Sequence, residues 1–133
     1  MRSISYAYAI SAWLFFAGVV YQVFLAGIGL LGGGDMTAHM GFGYLLPLVA
    51  ILLFLVGWAA QPDRRTFRLT LLLMVLTLIQ PNLPLLRDVS PALAALHPVN
   101  ALAIFWLALT VARGATTLVG RPTVARDEVQ VPR

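Results

Sequence analysis

Four long apolar stretches, separated by breaks of only a few residues, leave this chain little choice of fold. A hydrocarbon core of roughly 30 Å is crossed by about 20 helical residues, and the stretches near 5–31, 36–60, 67–86 and 91–112 each reach that length. Within lipid a spanning segment must satisfy its own backbone polar groups, which favours helices here. The breaks are readable in physical terms. Gly32-Gly33-Gly34-Asp35 cannot hold a helix and makes a tight turn. Gln61-Pro62-Asp63-Arg64-Arg65 is a charged turn with a helix-breaking proline. In Arg87-Asp88-Val89-Ser90-Pro91 one helix ends and another starts, with Ser90 as N-cap and Pro91 at the first helical position. Short loops imply antiparallel neighbours. The expected fold is all-α: a four-helix transmembrane bundle occupying residues 1–115, with 116–133 as a mobile cytoplasmic tail.

Composition fits a bilayer partner. Of 133 residues 60% are hydrophobic and 11% charged, and mean hydropathy is +0.88. The chain has no cysteine, which excludes disulfides, thiolate metal sites and c-type haem attachment. Its net charge of +4 arises from arginine alone, and nothing in it supports nucleic-acid binding. Arg2, Arg64, Arg65, Arg68, Arg113, Arg121 and Arg126 fall on the side shared by both termini and the middle loop, whereas the other side holds Asp35, Arg87 and Asp88. The positive-inside rule then makes both termini cytoplasmic, in a multi-pass protein of a bacterial inner membrane. The first segment is too long for a signal-peptide core and lacks a small-residue cleavage site, so an uncleaved helix is expected. Tyr6, Tyr8, Trp13, Trp58 and Trp106 read as an interfacial belt.

The second half of the chain repeats the first. "YQVFLAGIGLLGGGDMTAHMGFGYL" and "IQPNLPLLRDVSPALAALHPVNALA" superpose at an offset of 58 residues, placing Gln22 on Gln80 and His39 on His97. In each half the glutamine precedes the histidine by seventeen residues, across the turn of a helical hairpin. Two duplicated hairpins running the same way are related by a pseudo-twofold axis along the membrane normal. Equivalent inward-facing residues then meet across that axis. His39 and His97, each expected five to eight residues inside the outer end of its helix, would oppose one another about 8 to 12 Å down at 1.5 Å per residue.

Two opposed neutral imidazoles are the ligand set of a six-coordinate b-type haem, whose iron takes one nitrogen from each face. Room for the disc is expected from Gly43 and the repeat-equivalent Ala101, one turn below the histidines, helped by Gly18, Ala26, Gly27 and Gly29. The second ring nitrogen of each ligand needs an acceptor, from Gln22, Gln80 or a backbone carbonyl. Arg87, the one arginine on the outer side, would pair with a haem propionate. Two histidines without a neighbouring thiol or carboxylate make a poor zinc or copper site, because those metals recruit three or four ligands. Asp35, one turn before His39, offers only a thin surface alternative. Blander readings stand beside these: a membrane histidine, glutamine or Asn100 often just bonds to a neighbouring helix, and Pro81, Pro84 and Pro98 are ordinary packing kinks.

The strings "QVFLAG", "HMGFG" and "LHPVNALA" resemble one half of the heme A synthase fold, in which a haem is held between paired histidines of a four-helix half. The string "ALHPVNAL" is similar to one found in small bacterial four-helix membrane proteins of a family of unknown function. The resemblance spans Tyr21 to Arg113 and implies iron ligation by His39 and His97, with Gln22 and Gln80 as companions. The chain departs from heme A synthase in having one half, two histidines and no buried carboxylate, so haem-modifying activity is not implied. The expected function is electron transfer or haem handling by a bis-histidine b-type haem protein, with a quinone or a respiratory or photosynthetic membrane complex as partner. An accessory or assembly subunit with structural histidines is the alternative. A small transporter is a weaker third, since no helix carries another buried acid or base.

Overall fold

In the computed structural model residues 2–120 are described, and all regular structure among them is helical. Helix α1 spans Arg2–Leu31 and α2 spans Thr37–Ala60. Helix α3 spans Arg64–Ile79 and continues as a tighter 3-10 segment over Gln80–Asp88. A short α4, Pro91–Ala94, leads into α5, Leu96–Val119. Four rods, Arg2–Leu31, Thr37–Ala60, Arg64–Asp88 and Pro91–Val119, are long and apolar enough to cross a membrane.

Local chemistry sets the boundaries. Gly33 and Gly34 take φ of +104° and +89°, in the left-handed region that glycine enters without steric penalty. Asp35 Oδ1 then accepts from the Thr37 N–H at 2.9 Å and starts α2. At the other end of the bundle Gln61 closes α2 in a left-handed conformation, its N–H donating to Gly57 O at 3.1 Å, and Pro62 prevents continuation. Asp63 caps α3 by accepting from the Arg65 and Thr66 N–H groups, each at 3.0 Å. Ser90 caps α4 with Pro91 at the first position, as its sequence predicts.

Three stretches differ from the sequence expectation. The third span is not one uniform α-helix, because Pro81 and Pro84 lack the N–H groups that Thr77 O and Gln80 O would receive, and the chain tightens to 3-10 geometry. The fourth span breaks at Ala95, where Pro98 leaves Ala94 O without an α-helical donor. Helix α5 runs on to Val119 rather than ending near 112, so 116–119 are helix and not tail. Tertiary contact holds that extension: Ala112 and Ala115 are fully buried, and Thr116 Oγ1 donates to Ala112 O and accepts from Trp13 Nε1 at 3.0 Å. The remainder of the expected tail, from 121 on and including Arg121 and Arg126, lies outside the described residues.

Helix α1 packs on α2 and α5, and α3 packs on the same two, leaving α1 opposite α3 and α2 opposite α5 across the axis. The outside is apolar, with Leu14, Leu48 and Trp106 each more than half exposed, as a lipid-facing surface requires. Inside, Ala9, Ala12, Ala50, Ala108, Ala112 and Ala115 let the backbones approach; in lipid, packing rather than the hydrophobic effect holds helices together. The tight core sits toward the end that carries the termini, around Tyr8, Phe15, Leu73 and Val111.

Tyr8 corrects the belt reading, because it is fully buried and its hydroxyl lies 2.6 Å from Thr70 Oγ1. Thr70 uses its own hydrogen on Thr66 O, so Tyr8 is the donor. Thr66 in turn donates to Asp63 Oδ2 at 2.7 Å, tying a buried threonine stripe on α3 to its cap. Tyr8→Phe should lower stability by about 1 kcal/mol, one net hydrogen bond, read as a thermal shift in detergent with the helical spectrum unchanged.

Candidate functional site: a doubled glutamine–histidine pair

The sequence repeat becomes a structural repeat at the hairpin-turn end. His39 and His97 stand on diagonally opposite helices, yet their ring centroids are 6.3 Å apart with planes inclined at 74°. Each ring is held in the same way by the glutamine of its own hairpin. His39 Nδ1–H donates to Gln22 O at 3.1 Å, and His97 Nδ1–H donates to Gln80 O at 3.1 Å. In return Gln22 Nε2 donates to His39 O at 2.8 Å, and Gln80 Nε2 donates to His97 O at 3.0 Å. Two residues therefore make a reciprocal clamp across the hairpin, and the chain contains it twice.

The clamp fixes the chemistry of the rings. A carbonyl oxygen only accepts, so Nδ1 must carry the proton, and the neutral ring presents its lone pair at Nε2. Each Nε2 has only a long contact, 3.4 Å to Gln22 Nε2 in one hairpin and 3.5 Å to Gln80 Nε2 in the other. A metal ligand that donates its other ring nitrogen to a carbonyl has this arrangement. The spacing suits a shared metal: two bonds of about 2.0 Å plus roughly 1 Å from each nitrogen to its ring centre give about 6 Å between centroids.

Burial near the rings comes from helix α1, through Leu25 and Gly29. Neither the 3-10 segment nor α4 contributes a buried residue, and the first buried positions of α2 and α5 are Leu46 and Ile104. Prolines shape this end too: Pro84 cannot donate to Gln80 O, which keeps that carbonyl accessible to His97. His39 lies in the first turn of α2, shallower than expected, because the glycine turn and Asp35 delay the helix start to Thr37.

Other expected members take different places. Gly43 makes room for the glutamine: a Cβ there would stand 2.7 Å from Gln22 Nε2. Ala101 lines an apolar groove between α1 and α5 with Val20, Val23, Leu102 and Phe105. Arg87 is not brought to the rings; its Nε lies 3.7 Å from Asp88 Oδ1, and both side chains are exposed. Asp35 serves Thr37, whose hydrogen bonds hold its carboxyl below the usual range. Among the described residues no three histidine, cysteine or carboxylate side chains gather as a metal group.

Asn100 is the interhelical clamp that the blander reading expects: its Nδ2 donates to Leu76 O at 3.0 Å and to Gln80 Oε1 at 2.6 Å. Its spacing of three residues from His97, on one helix face, was the available signal. Gly43→Ala should push the Gln22 amide off His39 and cost about 1 kcal/mol in a detergent melt. Gly41→Ala is the control, because open space surrounds that position and stability should hold or rise.

Residues 22–84 match a family of unknown function, DUF6220. That segment opens on Gln22, contains His39 and Gln80, and stops short of His97. No curated protein and no solved structure matches the chain.

Proposed function

We propose that this protein is an integral-membrane electron carrier or haem-handling protein that binds one b-type haem between His39 and His97. The observation that carries the reading is the pair of imidazoles 6.3 Å apart, each with Nδ1 committed to a helix carbonyl and Nε2 held by only a long amide contact. The likeness of the Gln–His pattern to one half of heme A synthase supports it.

When bound, the iron would cycle between its ferric and ferrous states. The chain's part is the rest. His39 and His97 would each give an imidazole nitrogen to the iron, a ligand set that suits electron transfer rather than oxygen activation. Gln22 and Gln80 orient the rings, and the apolar bundle supplies the low dielectric that sets the potential. The natural partner is a quinone or a larger respiratory or photosynthetic membrane complex. The arginine-bearing end, with Arg2, Arg64, Arg65, Arg68 and Arg113, is the cytoplasmic one by charge bias, placing the histidines near the outer face of a bacterial inner membrane.

One observation favours a second reading. Each histidine is already bonded within its own hairpin, so the same contacts serve an accessory or assembly subunit whose imidazoles only pin helices together. Purification from haem-replete cells separates the two. The haem reading expects a red preparation with a sharp reduced α band and one haem per chain. A colourless, helical, monodisperse sample favours the subunit.

A further inference from the structure

The duplicated site is not symmetric. In the second hairpin the Gln80 carbonyl oxygen Oε1 is fixed by Asn100 Nδ2 at 2.6 Å, and Asn100 is itself anchored on Leu76 O. In the first hairpin the equivalent oxygen, Gln22 Oε1, is buried and has no hydrogen-bond partner. The repeat explains the difference: Phe42 occupies the position of Asn100, and its ring packs edge-on against Tyr21 at 5.1 Å instead of donating a hydrogen bond. A buried unpaired carbonyl is a standing cost that its neighbour's clamp does not carry.

We infer that, in the bis-histidine haem protein proposed above, His97 is the fixed axial ligand and His39 the exchangeable one, so that a small neutral ligand takes the His39 position. The inference rests on that reading. To release His97, the chain must disrupt a carbonyl acceptor, a glutamine and an asparagine that brace one another. To release His39 it breaks the same kind of carbonyl bond, to Gln22 O, but turns a glutamine that no asparagine braces, and Gln22 Oε1 gains a partner once the side chain moves to where water or a ligand can donate. The exchange involves no redox step: His39 leaves with its electron pair, carbon monoxide supplies another, and no proton moves. Asn100 and Gln22 are positioning residues in this scheme, acting through the histidines.

The test uses the full chain purified with haem in detergent, reduced under argon and mixed with carbon monoxide, the probe ligand. Haem retained per folded chain should be at least about fivefold greater in His39→Ala than in His97→Ala, the factor that one net hydrogen bond supplies. Reduced His39→Ala should bind carbon monoxide at once and wild type slowly. Phe42→Asn, which offers Gln22 Oε1 a donor, should slow wild-type uptake about fivefold. Because that change also removes the contact with Tyr21, Asn100→Leu is the second arm: it should speed uptake and raise the high-spin fraction, a readout that packing loss alone would not move. Equal haem retention by the two single-histidine variants, or uptake unchanged by Asn100→Leu, would overturn the inequality and leave bis-histidine ligation standing. A colourless wild type would overturn both.

Discussion

With a haem held as proposed above, replacing either His39 or His97 with alanine should abolish the low-spin spectrum, lowering the reduced α band by more than about tenfold relative to wild type. Even outer-shell partners of a metal ligand are worth about 10- to 100-fold in affinity, and a ligand itself is worth more. The low-spin state needs a strong nitrogen donor on each face, and the two rings 6.3 Å apart are the imidazoles that meet across this bundle. Gln22→Leu and Gln80→Leu should act in the same direction but less, because they remove the amide bond to the histidine carbonyl and leave the Nδ1–H bond to the backbone carbonyl and the Nε2 lone pair in place. Absorption spectra of ferric and ferrous protein, normalised to helical content, decide the matter. A full α band surviving in one histidine variant would remove that imidazole from the ligand set.

The second large effect lies at the other end. Gly57→Ala should cost about 3 kcal/mol, combining overpacking of roughly 1–3 kcal/mol with the loss of about one hydrogen bond. A Cβ at Gly57 would stand 2.8 Å from Tyr8 Cε2 and 3.3 Å from Cζ. The ring has no exit, being fully buried with its hydroxyl bonded to Thr70 at 2.6 Å. Any shift that admits the methyl group pulls the phenol off Thr70 and disturbs the α1–α2 contact, and packing is what holds helices together in lipid. A double-mutant cycle with Tyr8→Leu isolates the clash, since a smaller side chain at position 8 should restore most of the loss. Unfolding in mixed micelles gives the free energies. Additive effects of the two substitutions would show that the ring and the glycine do not meet.

Much of the fold is legible in the amino-acid sequence. Hydropathy marked four spans because a bilayer demands length and apolarity, properties of local sequence alone. The glycine turn and the Ser90–Pro91 helix start followed from backbone preferences of those residues. Boundaries were less legible where tertiary contact outweighs local preference, as at Thr116, whose bonds to Ala112 and Trp13 keep helix α5 going. Tyr8 shows the same limit: aromatic residues near a helix end fit an interfacial belt, and only the neighbouring threonine at position 70 turns this one inward. The candidate site divides similarly. Matched Gln–His spacing announced a pair at one depth, whereas the roles of Gly43, Asn100 and Arg87 depended on where side chains end in space.

Sequence by itself determined the spans, their antiparallel order and the register that sets His39 opposite His97, because apolar length, turn chemistry and a repeat offset are one-dimensional quantities. Tertiary structure alone decided which carbonyl receives each ring proton, that Asn100 braces one glutamine while Phe42 leaves the other unpaired, and that Arg87 stays on the surface. Hydrogen bonds are set to within a few tenths of an ångström by packing between helices distant in the chain, and a spacing pattern does not carry that information.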